Sequence, residues 1–469
     1  MSGQTLLTVL RAIIDGSAGA DQDQAEAELL GWSSHTFSRV LLDLPVDRKS
    51  FLGRFERSWD TAIDDLGRWC TGFRSRPQPY QQRFEPVFGY LGLLLVTLVS
   101  LRQADEQRYR RLPDGSGAAG FSTRPGHDCR TLCAGMLAQA PVRAAIRAVY
   151  APDAFPVLEL AGTPLDRSSR QEWDRIDFDT LRFHRHGTTS FILTGLPADA
   201  VQGQRRPLAL KCIVYPYLRV PSVVRATREY LARYGTQRAD VEHVAGVWAS
   251  SHSWILMDYV DGETLAEHLD RRLGIAGREV AGRPAARLRI DLLAELGREL
   301  FSAMADLDRA GLRHHDLSPS NIIVQRRADP DRVRFVLVDL GVNHLYTHAM
   351  PGLDAPDSVF VAPEIRAGDE GARTSDLYSI GQLLIAFSGG PDPADGLVPD
   401  RFYAETPVLA RFVEDLIGRE QEHRLLIFTP DPDRPLYPQL RTVFDEELTA
   451  MAASRAAGVP YAGPGRRRG

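Results

Sequence analysis

Cysteine and lysine are scarce in this chain, and neither sign of charge dominates. Four cysteines among 469 residues are too few for a disulfide scaffold and predict a reducing compartment. The 56 basic and 61 acidic residues leave a formal net charge of -5, so the protein has no overall positive field that would attract nucleic acid or an anionic membrane. The opening MSGQTLLTVLRAIIDG lacks the basic start and the cleavage site of a signal peptide. Together these absences predict a cytoplasmic globular protein.

Long hydrophobic runs and metal-ligand clusters are also rare. The run 86–101 has 16 residues, fewer than the roughly 20 that span a bilayer, so a buried helix is predicted and a membrane anchor is the alternative. Cys129 and Cys133 lie near His127, but structural zinc normally takes four ligands and no second pair follows. Ordinary thiols are therefore favoured over a metal centre.

The spacing of apolar residues changes twice along the chain. Residues 1–150 carry them at helical spacing, 176–260 is made of short β-branched and aromatic runs between turns, and 261–448 returns to helical spacing. Residues 151–175 are predicted to be a linker and 449–469 a flexible tail. The pattern predicts an α+β fold, with a β-rich part followed by a helix-rich part, behind an all-α amino-terminal domain.

Two polar motifs lie in the second half of the chain, HHDLSPSNIIV (314–324) and RFVLVDLG (334–341). Asp316 is a carboxylate that can orient a hydroxyl or accept its proton, while Asn321 and Asp339 supply the oxygen ligands that Mg2+ prefers. Aspartate and asparagine are also ordinary turn residues, so each motif alone is uninformative. Their order and spacing together indicate phosphoryl transfer.

These motifs resemble those of the eukaryotic-like protein kinase superfamily, and in particular the bacterial serine/threonine kinases, whose motifs read H-R-D-L-x-x-x-N and D-F-G. Here they stand as His314-His315-Asp316 with Asn321, and as Asp339-Leu340-Gly341. The resemblance implies a bilobal, protein-kinase-like fold that uses ATP and Mg2+. It also implies that Asp316 is the catalytic base and that Asn321 and Asp339 hold the metal.

Upstream, RPLALK (206–211) resembles the family's V-A-I-K segment. The resemblance implies that Lys211 contacts the α and β phosphates and that Ala209 lies over the adenine. Lys211 is one of only two lysines in the chain, although chance placement also explains a single lysine. Glu229, on a predicted helix, is the acid that the resemblance pairs with Lys211, and a solvated surface charge is the alternative.

The same resemblance assigns the rest of a nucleotide pocket. The segment SWILMDYVDGETL (253–265) is similar to the strand and hinge beside the adenine, with Met257 as gatekeeper, although apolar strand packing would explain the same letters. The residues so assigned to nucleotide binding are Gly187, Thr188, Thr189, Ser190, Ala209, Lys211, Met257, Asp258, Tyr259, Val260 and Ile323.

Downstream, Ala362-Pro363-Glu364 matches the A-P-E motif, and Asp376 follows Glu364 by twelve residues, as in the helix beneath the family's catalytic loop. The resemblance implies that Glu364 pairs with a buried arginine, for which Arg434 is the candidate. Altogether the resemblance covers roughly residues 176–448.

The Gly-rich loop departs from the family's G-x-G-x-x-G. The sequence HGTTSFIL keeps Gly187 but has Thr189 and Ile192 at the other two glycine positions, and β-branched residues are stiff. The loop is therefore predicted to cover ATP less closely. A pseudokinase scaffold or nucleotide sensor is the resulting alternative to an active kinase.

Three further positions differ from regulated, Ser/Thr-directed members. His315 replaces the arginine that receives a phosphorylated activation loop, which predicts activity without that modification. Ser318 and Asp357 stand where a lysine and a threonine would position the acceptor hydroxyl. Transfer to a Ser/Thr hydroxyl of a protein substrate is the leading prediction, and a small-molecule phosphotransferase is a further alternative.

Residues 23–44 resemble a helix-turn-helix, with Gly31 at the turn and Phe37 and Val40 facing inward. Only Arg39 is cationic on the second helix, which gives little counterion release on DNA. A helical domain that serves in packing or recruits a partner protein is therefore preferred to one that binds nucleic acid.

Overall fold

The computed structural model describes most of the chain and divides it into two compact units. The described residues are 3–15, 19–34, 36–37, 48–109, 129–151, 167–186, 190–197, 206–213, 241–251, 253–273, 288–326, 333–340, 358–367, 371–389 and 396–457. The first unit contains residues 1–238 and 247–259, and the second contains 239–246 and 260–469.

Seven helices and a five-stranded sheet are described in the first unit. The helices are α1 (Gly3–Asp15), α2 (Gly19–Leu30), α3 (Arg48–Arg74), α4 (Gln78–Tyr109), α5 (Cys129–Leu137), α6 (Ala140–Val149) and α7 (Arg167–Asp174). The strands are β1 (Arg182–His186), β2 (Ser190–Gly195), β3 (Leu208–Ile213), β4 (Val247–Ser250) and β5 (Trp254–Asp258). All pairings are antiparallel, in the order β1-β2-β3-β5-β4.

Helix α4 contains the long hydrophobic run. Residues 78–100 are long and apolar enough to cross a membrane, but 78% of the most apolar window is buried inside the protein. The aromatic rings of Phe73 and Phe88 stack 4.5 Å apart where α3 packs against α4. Helix α4 is therefore buried as a helix of the hydrophobic core is.

Two sequence features of the amino-terminal region fall partly outside the described residues. Phe37 is fully buried, and its ring lies 6.0 Å from that of Tyr90 on α4, whereas Arg39 and Val40 are not described. Cys133 is a buried free thiol, while His127 and the side chain of Cys129 are not described. The helix-turn-helix and metal-centre interpretations therefore stay untested.

The strand register gives the sheet two distinct faces. Lys211 lies opposite Ile192 and Ile255, so this "Lys211 face" also carries Ala209 and Met257. The opposite "Trp254 face" carries side chains that are all buried, namely those of Phe191, Leu193, Leu210, Cys212, Trp254 and Leu256.

Amino-terminal helices cover the Trp254 face. Tyr150, at the end of α6, meets the ring of Phe191 edge-on at 6.2 Å. Trp173 on α7 lies 4.9 Å from Trp254, α4 packs against β1 and β2, and α5 packs against β1. Helices and sheet thus share one apolar core, and α7 lies within the segment predicted as a linker. The predicted division into an amino-terminal domain (1–150) and a linker (151–175) stays a prediction.

The second unit is mainly helical. Its described helices are α8 (Leu265–Leu273), α9 (Ile290–Arg309), α10 (Pro363–Ala367), α11 (Ser375–Phe387), α12 (Asp400–Glu405), α13 (Pro407–Leu416) and α14 (Leu436–Ala457). Strands β6 (Glu263–Thr264), β7 (Ile322–Arg326) and β8 (Val333–Leu337) form a small antiparallel sheet. Gly297 lets α9 approach α14 closely, because a Cβ atom there would lie 2.5 Å from the Phe444 ring.

A buried histidine ties the start of this unit to α9. His243 shares hydrogen bonds of 2.6 Å with Asp306 and 3.1 Å with Glu299, and Arg309 also bonds Asp306. Burial alone lowers the pKa of His243, but the two carboxylates outweigh it and raise that pKa above the ordinary 6.5. The folded protein therefore binds the proton of His243 more tightly than the unfolded chain does.

We expect protonated His243 to stabilise this unit at low pH and this contribution to disappear as the pH rises. A raised folded pKa gives stabilisation that is complete below 6.5 and is lost as the pH rises through the higher folded value. Denaturant unfolding of wild type at a series of pH values should show this loss, and His243→Gln should remove it. An unchanged pH dependence in the variant would contradict the assignment.

Candidate active site

A buried carboxylate fixes the backbone that precedes Asp316. The backbone N–H groups of His314 and His315 donate to the two oxygens of Asp376, at 3.0 and 2.8 Å. Asp376 is fully buried in the first turn of α11. His315 has a φ of 56°, a strained left-handed conformation that the paired hydrogen bonds help to hold. The turn presents Asp316 in one backbone orientation.

Asp316 and Asn321 are joined by two hydrogen bonds. The side-chain Nδ2 of Asn321 donates to the backbone oxygen of Asp316 at 2.8 Å and to its Oδ2 at 2.6 Å. A short 3-10 turn over Pro319–Asn321 brings the two residues together. Because its nitrogen is committed to Asp316, the Asn321 amide has its oxygen left as a cation ligand.

Asp339 follows β8 beside this pair. The backbone N–H of Val338 donates to the backbone oxygen of Asn321 at 3.0 Å, so the residue before Asp339 is tied to Asn321. Asp339 has a φ of 59°, which turns the chain as the strand ends. Asn321 and Asp339 form an oxygen donor set, which fits Mg2+ better than the nitrogen or sulfur sites preferred by softer metals. These residues would hold that ion.

His314 is not a candidate base. It is fully buried, and burial lowers the pKa of this imidazole to about 4. Neither ring nitrogen has a hydrogen-bond partner among the described residues. Asp316 therefore stays the predicted base of the segment.

Glu364 pairs with Arg424, so the prediction of Arg434 is wrong. Two guanidinium nitrogens of Arg424 donate to the two Glu364 oxygens at 2.6 and 2.7 Å, and Ser375 donates to the same carboxylate at 2.7 Å. The Arg424 side chain is completely buried, whereas that of Arg434 is 74% exposed and bonds Asp431 at 3.3 Å. Nothing in the sequence distinguishes Arg424 from Arg434 as the partner of Glu364, because only the folded path of the chain after α13 brings Arg424 to it.

The Glu364–Arg424 pair should matter for stability. We expect Arg424→Ala to lower the free energy of unfolding by about 3–5 kcal/mol, because it leaves the largely buried Glu364 carboxylate without its counter-ion, with Ser375 as its remaining side-chain donor. Arg434→Ala is the matched control and should change it by less than about 0.5 kcal/mol. Urea unfolding of both variants measures the difference, and equal effects would reverse the correction.

The nucleotide-binding candidates of the first unit lie on the Lys211 face and at its edge. Lys211 is 6% exposed and Ala209 is flanked by Thr194 and Met257. At the end of β5, Asp258 accepts a 2.8 Å hydrogen bond from the Trp248 indole. The backbone N–H of Tyr259 donates to the Pro207 oxygen at 3.2 Å. The register thus places the predicted lysine and gatekeeper on one face.

The structure describes only some of the remaining residues predicted to bind nucleotide. Ser190 is buried at the start of β2; in the second unit, Ile323 is buried on β7 and Val260 is half-buried. Gly187, Thr188, Thr189, Glu229 and Asp357 lie outside the described residues. The Lys211–Glu229 pair stays a prediction.

Comparison with known protein families decides the fold. Residues 202–401 match the family model described as "Protein kinase domain". These 200 residues, and not the whole chain, thus carry the likeness to a protein kinase domain. The predicted kinase-like α+β fold with an amino-terminal helical region is thereby confirmed, and the resemblance to the eukaryotic-like superfamily with it. Arg424 lies beyond the matched kinase segment, and β1 and β2 precede it.

Bacterial serine/threonine kinases are among the relatives of this kinase domain. The serine/threonine-protein kinase pkn3 of Myxococcus xanthus is 27% identical over 216 residues, which cover 43% of this chain and 37% of pkn3. For PknI of Mycobacterium tuberculosis the identity is 28% over 163 residues, covering 34% of this chain and 24% of PknI. The chain thus spans well under half the length of either relative.

Solved structures include the PknI kinase domain of Mycobacterium tuberculosis. That structure is 20% identical and covers 57% of this chain and 96% of its own, with a TM-score of 0.39.

Proposed function

We propose that the protein is an ATP- and Mg2+-dependent kinase that transfers a γ-phosphoryl group to a Ser/Thr hydroxyl of a protein substrate. The observation that carries the proposal is the double hydrogen bond from Asn321 to Asp316, on a turn fixed by buried Asp376. Such a preorganised carboxylate is suited to orienting an acceptor hydroxyl. The names of the bacterial relatives favour a serine/threonine acceptor.

Each polar residue has a distinct role in this proposal. Asp316 orients the acceptor hydroxyl and takes its proton as the oxygen bonds to the γ-phosphorus, while ADP departs. Asn321 and Asp339 would hold Mg2+, which neutralises charge on the phosphates when bound. Lys211, buried on its face of the sheet, binds phosphate oxygens of ATP.

Incubation with γ-labelled ATP and Mg2+ tests the proposal and separates its alternatives. We expect label on a protein acceptor in gels and none on small molecules in thin-layer chromatography. Label only on a small molecule would indicate a phosphotransferase of that kind. Thermal stabilisation by ATP without transfer would indicate a nucleotide-sensing pseudokinase. Asp339→Asn is the control for metal-dependent transfer.

A further inference from the structure

A helix outside the kinase family match contacts the strand that leads into the Gly-rich segment. His186 is the last residue of β1 and immediately precedes Gly187. It lies opposite Phe191, which places it on the Trp254 face, the side covered by the amino-terminal helices. Ser100, on α4, lies 3.0 Å from its Nδ1 atom.

The hydrogen-bond pattern fixes the direction of this contact. The hydroxyl of buried Ser100 donates its single hydrogen to the backbone oxygen of Val96 at 2.7 Å. The Ser100 oxygen must therefore accept from His186, so the imidazole carries its proton on Nδ1. Burial, together with the positive charge of Arg130 on α5, lowers the pKa of His186 to about 4. The ring is neutral at physiological pH.

Backbone pairing holds strand β1 on one side only. It is an edge strand of the sheet, with β2 as its one neighbour, and its pairing is irregular between Phe183 and Arg185. Helices α4 and α5 pack against β1. The hydrogen bond between Ser100 on α4 and His186 therefore restrains the last residue of this edge strand.

We propose that Ser100 is a positioning residue for nucleotide binding, because it holds His186 and so fixes the end of β1. The inference rests on the proposed kinase function, to which the resemblance assigns the residues that follow His186 as nucleotide-binding residues. It assigns the amino-terminal helical region a direct part in nucleotide affinity. Since this hydrogen bond orients the protein rather than the reacting atoms, its loss should affect binding more than turnover.

The test compares four single variants of the full chain. Ser100→Ala and His186→Leu remove the hydrogen bond, while His186→Asn keeps a donor near the position of Nδ1. Thr97→Val is the matched control, because Thr97 is buried one turn earlier on α4 and its hydroxyl bonds no described residue. Binding of a fluorescent ATP analogue, KM for ATP, kcat and thermal midpoint are measured for each.

We expect Ser100→Ala and His186→Leu to raise the dissociation constant and KM by about three- to ten-fold, the loss of one hydrogen bond, with kcat within about two-fold. His186→Asn and Thr97→Val should bind as wild type does. Lower thermal midpoints with unchanged nucleotide affinity in Ser100→Ala would show a merely structural contact and overturn the proposal. If wild type bound the analogue but transferred no phosphate, the kinase function alone would fail; if wild type bound no analogue, both would fail.

Discussion

Asp316→Asn should reduce phosphoryl transfer by about 100- to 1,000-fold, the usual effect of removing one preorganised contact of this kind. The substitution keeps the size of the side chain and an oxygen that can accept from Asn321. It removes the negative charge that orients the acceptor hydroxyl and takes its proton. The initial rate at saturating ATP and Mg2+ measures the loss.

Two controls make this result specific to chemistry. The thermal midpoint and the affinity for nucleotide should stay close to those of wild type, because Asp316 is assigned to the acceptor and not to ATP. His314→Asn tests another titratable group of the same segment, which is buried and neutral and should not replace Asp316 as the base. Wild-type turnover in Asp316→Asn would refute the assigned role.

Trp173→Ala should destabilise the first unit by about 3–5 kcal/mol, as expected for truncating a buried aromatic side chain. Trp173 is buried against Trp254, on the sheet face opposite Lys211. Because α7 precedes the kinase match, the effect would show that the kinase sheet depends on helices outside that match. Denaturant unfolding followed by tryptophan fluorescence measures it.

A fragment that begins at residue 176 gives the complementary result. It would expose the apolar Trp254 face, with Phe191 and Leu193 among its side chains, and should aggregate or fail to unfold cooperatively. Tyr403→Ala, at a partly exposed aromatic of the second unit, is the control for aromatic truncation and should cost far less than Trp173→Ala. A cooperatively folding fragment that binds ATP would contradict the shared core.

Several residues of the candidate site could be identified from the sequence alone. Asp316, Asn321, Asp376 and Lys211 could be assigned because the motifs around them resemble those of the protein kinase superfamily. Asp316 and Asn321 share one short turn, so their contact follows from local sequence. The contact of Asp376 with His314, 62 positions away, and the face that Lys211 occupies on the sheet come from the structure.

Long-range packing could not be assigned in the same way. Arg424 and Arg434 are chemically identical, and only the path of the chain after α13 brings Arg424 to Glu364. The coverage of the Trp254 face was equally hidden, because the apolar spacing of α4 and α6 indicates that a face is buried but not what covers it. The Ser100–His186 contact joins residues 86 positions apart, and no local pattern marks it.

Phosphoamino-acid analysis of the label transferred from γ-labelled ATP tests the central claim most directly. The account predicts phosphoserine or phosphothreonine on a protein acceptor with wild type, and a loss of that label with Asp316→Asn under identical Mg2+ and ATP. Absence of label with wild type across protein acceptors, or equal labelling by the variant, would contradict it.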